Sequence, residues 1–176
     1  MNYLQERLIM DGIIMETKYN YPDATHSDTL EMGAQYLDRV METLQKRGVI
    51  LQPYTSRKRQ YETGESLQGW EVKLDNRSFD TGRLSIEISE KSRRDIPTWT
   101  QSGIYRRDNT WIYIQGNQHQ FWWFQKNILK LLHKSNKYKE EEFNGTIKKF
   151  YIPVEDADKY GVRFEMDVPC ILSDRA

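Results

Sequence analysis

Glu71, Lys73 and Asp75 in GWEVKLD, and Ser85, Glu87, Ser89 and Lys91 in LSIEISEK, each fall on one side of an alternating segment. Two carboxylates on neighbouring strands, pointing the same way, can hold a hard cation. Mg²⁺ takes oxygen ligands and keeps several waters, so one or two carboxylates plus a phosphate oxygen suffice. Such a metal polarises a phosphodiester and lowers the pKa of a bound water. A nearby lysine stabilises the developing negative charge. Asp75 and Glu87 suit the ligand positions, and Lys91 or Lys73 the cation. The same pattern also suits an ordinary hairpin with one solvated face, where opposed Glu and Lys pairs contribute about 0.2–1 kcal/mol each.

The elements that must position these groups are legible from period and punctuation. Trp70, Val72 and Leu74 alternate with the polar set of the first segment, and Leu84, Ile86 and Ile88 with that of the second. Strict alternation predicts two half-buried strands. The residues between them, Asn76 to Gly82, are rich in turn formers, which predicts an antiparallel hairpin.

Upstream, Ser27 is a good N-cap for a helix with Leu30, Ala34, Leu37, Met41 and Leu44 at helical spacing, closed by Lys46, Arg47 and Gly48. Residues 3–15 favour another short helix, and 49–54 a strand. SRKRQYETGES reads as a polar loop carrying the basic cluster Arg57, Lys58 and Arg59.

Downstream, 92–103 is irregular, with Arg93 and Arg94 just beyond the hairpin. Strand material follows over 104–115, around a turn at Asp108-Asn109, and again over 121–124. A helix is expected over 126–134, then a charged linker, a strand in TIKKFYI, a short helix near 155–160 ended by Gly161, and a last strand in VRFEM. This order predicts a single domain of mixed α/β or α+β class over residues 1–176.

Bulk properties exclude several function classes. The apolar fraction is 38%, charged residues make up 30% and mean hydropathy is −0.84, yet Trp and Tyr are plentiful. Aromatics at this density go with a folded domain rather than disorder. Net charge is zero, so nucleic-acid binding must come from a local basic patch rather than a global field. Cys170 has no partner for a disulfide and no zinc pattern surrounds it. The first twelve residues do not read as a signal peptide and no apolar run spans a bilayer, so the expectation is a cytoplasmic protein without a membrane partner.

The arrangement resembles the PD-(D/E)XK nuclease superfamily, the restriction-endonuclease-like enzymes, over about residues 27–133. The matching residues are Glu31 on the capped helix, Asp75 in EVKLD and Glu87 in IEISEK. The resemblance implies a central mixed sheet flanked by helices and a Mg²⁺- or Mn²⁺-dependent nuclease acting on DNA (or RNA), and it leaves room for a homodimer. Asp75 and Glu87 would be the metal ligands, Lys91 the assisting cation and Glu31 an outer acid. The sequence departs from the pattern at Ser89, where the acid-x-Lys lysine belongs; Lys91 lies one alternation further on. A second, lower-ranked match takes Glu71-Val72-Lys73 as the acid-x-Lys, with Glu62 or Glu65 upstream.

Arg57, Lys58, Arg59, Arg93 and Arg94 flank the hairpin and suit phosphate contacts as well as they suit a solvated loop. Trp99, Tyr105 and Trp111 suit base stacking or core packing. His26, His119 and His133 are too scattered for a ligand set. The alternative function is a non-catalytic nucleic-acid- or protein-binding module on the same fold.

Overall fold

The computed structural model describes residues 26–167. The helix expected over 3–15 and Cys170 lie outside these residues. Among those described, helix α1 (His26–Gln45) comes first. Gly48, at φ +80°, ends it as the sequence suggests: its N–H donates to the Gln45 carbonyl and that of Val49 to Leu44.

The buried stripe of α1 is Tyr36, Val40 and Leu44, with Leu37 and Met41 partly covered. It packs on one face of a four-stranded sheet made of β1 (Trp70–Leu74), β4 (Ile112–Gly116), β5 (Gln120–Gln125) and β8 (Val162–Glu165), in the order β1-β4-β5-β8. A second four-stranded sheet, in the order β3-β2-β7-β6, contains β2 (Arg83–Glu90), β3 (Thr100–Gln101), β6 (Glu140–Phe143) and β7 (Ile147–Pro153). The mixed α+β class is as expected, with the strands divided between two sheets rather than gathered in one.

Alternation explains the layering. In β4, Ile112 and Ile114 face α1, and Tyr113 faces the second core. In β5, Phe121 joins the α1 core, while Trp122 and Phe124 join Leu84, Ile86 and Ile88 of β2 and Phe150 and Ile152 of β7. The first sheet is therefore covered on both faces, which is why IYIQG reads as an unbroken buried strand. Leu129 and Leu132 of α4 (Lys126–Lys134) and Ala157 of α5 (Val154–Tyr160) complete the second core. The buried Trp122 indole donates from Nε1 to Asp158 Oδ1 at 2.8 Å, so the largest core side chain is also satisfied.

The β1–β2 hairpin is not formed. β1 pairs in parallel with β4, Trp70 opposite Ile112, and β2 pairs antiparallel with β7. The turn formers between them fold into a short helix, α3 (Ser78–Thr81), closed by Gly82 at φ +62°. The edge of β2 that β1 would need is taken by side chains: Ser85 N–H donates to Asp75 Oδ2, and the Ser85 carbonyl accepts from Gln115 Nε2.

Other expectations also change. Residues 49–54 contribute only an isolated bridge, Pro53 with Ser66. The stretch carrying Arg57, Lys58 and Arg59 is a helix, α2 (Arg57–Thr63), capped by Ser56 Oγ, which accepts from the Arg59 N–H. Residues 103–105 form a 3-10 turn rather than a strand, and the supposed linker supplies β6. Strands β5, β7 and β8 and helices α4 and α5 stand where the sequence reading put them. No helix among the described residues is long and apolar enough to cross a membrane.

Candidate functional site

β1 and β2 do not pair; Asp75 and Ser85 join them through side chains instead, and the space between the two strands is the candidate groove. Tyr113 and Gln115 of β4 lie opposite Glu71 and Lys73 in register. Glu71 is 1% exposed, and its Oε1 lies 2.9 Å from Lys73 Nζ. Glu65, just after α2, also reaches Lys73 at 3.2 Å, and its other oxygen accepts from the Val72 N–H at 3.1 Å. Glu71 Oε2 is buried and has no hydrogen-bond partner among the described residues. Burial raises the pKa of Glu71, as does Glu65, against the pull of Lys73. For Lys73, burial would favour the neutral amine, but Glu71 and Glu65 overcome it and hold the group well above an ordinary lysine. A buried carboxylate with one free oxygen, coupled to a firmly charged lysine, is the type of perturbed pair found at functional sites.

Lys126 and Asp108 lie behind Glu71. Lys126 Nζ sits 2.9 Å from Asp108 Oδ1 and donates to the Arg106 carbonyl; both charged side chains are almost fully buried. Burial works to raise Asp108, but the hydrogen bonds from Lys126 and from the Thr110 N–H leave it below the usual carboxylate range. The Lys126 charge also acts on Glu71, which ties this pair to the groove.

Asp75 closes one end. Its Oδ2 accepts three bonds, from Ser85 N–H at 2.7 Å, Ser85 Oγ at 2.8 Å and Gln115 Nε2 at 3.2 Å. The carboxylate is thus locked at Ser85, one alternation before Glu87 on β2. The electrostatic neighbours of Glu87 lie in the groove, since it acts on Tyr113 and on Glu90. Burial raises Glu90, as does Glu87, while Lys73 and Arg106 oppose the shift.

A β-bulge between Glu87 and Ser89 explains why two residues three apart meet. One extra residue reverses the alternation, bringing Glu90 toward Glu87 and sending later residues to the other side. Lys91 is one of these: its Nζ lies over the Trp99 ring, 4.4 Å from the centroid, and its N–H donates to Thr146. The lysine held among the carboxylates is Lys73, from the lower-ranked match.

Behind the bulge, Gly103 has φ +48°, and a Cβ there would lie 2.3 Å from the Glu87 carbonyl oxygen. Gly103→Ala should therefore destabilise the fold by more than about 1 kcal/mol. Equilibrium urea unfolding measures this, and an unchanged midpoint would contradict the close approach.

Glu31 is not in the groove. It is exposed on α1, with Oε1 accepting from Gln35 Nε2 at 3.2 Å. The α1 residue that Asp75 does influence is Tyr36. Its hydroxyl is buried without a partner among the described residues, and burial, then the Asp75 charge, pushes its pKa far up.

Arg57, Lys58 and Arg59 are exposed on α2, which Arg106 Nη2 fastens through the carbonyls of Gln60 and Tyr61, both at 2.8 Å. Arg93 pairs with Asp95 at 3.0 Å, and Arg94 is exposed beside it. His133 joins Tyr105 to Glu140, and His119 packs on Phe79.

Tyr36, Tyr113 and Gln115 were missed as site residues because their strand or helix reads as core; only the polar Gln115 inside an apolar strand was a signal. Comparisons with family models, curated proteins and solved structures gave no match.

Proposed function

We propose that the groove between β1 and β2 hydrolyses phosphodiester bonds in DNA with the help of Mg²⁺. The observation that carries this reading is Glu71, a buried carboxylate with an unpartnered oxygen, salt-bridged to Lys73 within an acid-x-Lys on a strand. The donors bordering the groove are carboxylate oxygens, the chemistry a hard cation requires. Asp75 and Glu87 would hold the ion together with a phosphate oxygen of the substrate. When bound, it would polarise the phosphodiester and acidify a water.

The chain's own contribution is positional and electrostatic. Ser85 and Gln115 fix the Asp75 carboxylate, and Gly103 lets the backbone close up behind Glu87. Lys73, kept charged by Glu71 and Glu65, supports negative charge developing on the phosphoryl group. Glu71, whose carboxyl is held above its ordinary range by burial, is suited to exchange a proton with the reacting groups. Arg57, Lys58 and Arg59 on α2 would neutralise flanking phosphates.

One observation favours the alternative, a non-catalytic binding module. Among the described residues no three His, Cys, Asp or Glu side chains gather to hold a metal ion. Cleavage assays separate the two readings. Wild-type protein should cut DNA with Mg²⁺ or Mn²⁺ and not with EDTA, and Asp75→Asn or Glu87→Gln should abolish cutting while leaving the fold intact. These replacements keep the volume at Asp75, where alanine would also release Ser85 and Gln115. Salt-sensitive DNA binding without cleavage would select the binding module, and full activity in both variants would refute the site.

A further inference from the structure

Of the chain's five tryptophans only Trp111 is an exposed large side chain, at 58%. Trp70 and Trp122 are buried, Trp123 is partly covered, and Trp99 lies under the ammonium groups of Lys91 and Lys148. Trp111 is nevertheless anchored by hydrogen bonds. Its Nε1 donates to the Gln68 carbonyl and its N–H to the Gly69 carbonyl, both at 2.7 Å. Gly69, at φ +75°, presses so close that a Cβ would lie 2.7 Å from the indole Cδ1. A fixed aromatic face in water has little rotamer freedom left to lose on binding.

The indole forms one wall of a cavity of about 390 Å³, shared with Trp123, Ile128, Lys159, Tyr160 and Val162. Tyr160 and Val162 are themselves exposed. Cavities of ~300–1,000 Å³ are the usual size for small organic groups. The surrounding charge names the ligand. Trp111 ends a loop that begins with Arg106 and Arg107, and Arg106 and Asn109 fasten that loop to α2 and to the segment after it. Arg106 is committed to α2 and Asp108, but Arg107 of this loop and Arg57, Lys58 and Arg59 of the attached helix are exposed and supply cations for a phosphate backbone. A base inside a duplex has both faces covered by its neighbours, so only an unpaired one can use such a platform.

We propose that this cavity receives an unpaired nucleobase of single-stranded DNA, stacked on Trp111 with its backbone running toward Arg107 and the exposed cations of α2. The inference rests on DNA being the substrate of the groove, but not on cleavage.

The test is the fluorescence anisotropy of a labelled oligothymidylate titrated with full-length protein in EDTA. Trp111→Ala should weaken binding about tenfold, the scale of losing one base–aromatic stack. Trp111→Phe, which loses the indole N–H but keeps a ring, should stay within about threefold. Tyr160→Ala, in the lining of the same cavity, should weaken binding too and serves as the second variant if Trp111→Ala fails to fold. Unchanged affinity in folded Trp111→Ala or Tyr160→Ala, equal loss in Trp111→Phe and Trp111→Ala, or equal competition by blunt duplex would overturn the proposal, as would absence of binding by the wild type. Trp111-dependent binding without any cleavage would uphold it while removing the nuclease reading.

Discussion

Lys126→Met is expected to cost about 3 kcal/mol of folding stability. Removing one partner of a buried ion pair typically costs ~3–5 kcal/mol, because the remaining charge is stranded away from water. The Lys126 and Asp108 side chains are 3% and 2% exposed. The lower end of the range applies because Arg106 stays near Asp108, at 3.5 Å. Adding Asp108→Asn should recover most of the loss, since the stranded charge goes with it. Urea unfolding of the two single variants and the double variant measures the coupling; additive effects would contradict a direct pair. The consequence reaches the groove, because the Lys126 charge also bears on Glu71.

Glu71→Gln should separate stability from activity. The pKa of Glu71 is raised in the fold by burial and by Glu65. A carboxyl whose folded pKa exceeds its unfolded one binds more protons when folded, so it draws stability down as pH rises from about 4.5 toward the folded value. Glutamine removes that slope. The variant should therefore match the wild type at low pH and become the more stable of the two toward neutral pH, as thermal unfolding across pH 4–8 will read. In the proposed reaction the same change should slow cleavage by about 10²-fold or more, the usual contribution of a positioned proton carrier. A variant as active as the wild type would remove Glu71 from the mechanism.

Much of this architecture was written in local patterns. The apolar run in β5, the strand-like stretches of β7 and β8, helical spacing in α4 and the glycine stop after α1 are short-range signals, and each element formed where its signal stood. The hairpin failed because its outcome was decided at long range. TrpGluValLysLeu is a strand in either case, but nothing in its own residues says that Ile112–Gly116, some forty positions on, will pair with it in parallel.

The site was legible to a similar depth. Asp75 meets Ser85, two residues before Glu87 on β2, while Lys91 turns to Trp99, because a single-residue bulge is silent in sequence and reverses every later side chain. Glu31 was assigned by resemblance alone, and it lies on the exposed side of its helix. The acid-x-Lys of Glu71 and Lys73 was visible but ranked lower, on the view that too little chain preceded it for another strand. The structure needs no such strand: Glu65 arrives from the turn after α2.

Crystals soaked in Mn²⁺ and measured for anomalous scattering provide the most direct test of the groove as a metal-dependent site. A peak within ~2.0–2.6 Å of carboxylate oxygens of both Asp75 and Glu87 is the expected result. No peak in the groove at saturating Mn²⁺, in protein that still cleaves DNA, would contradict it.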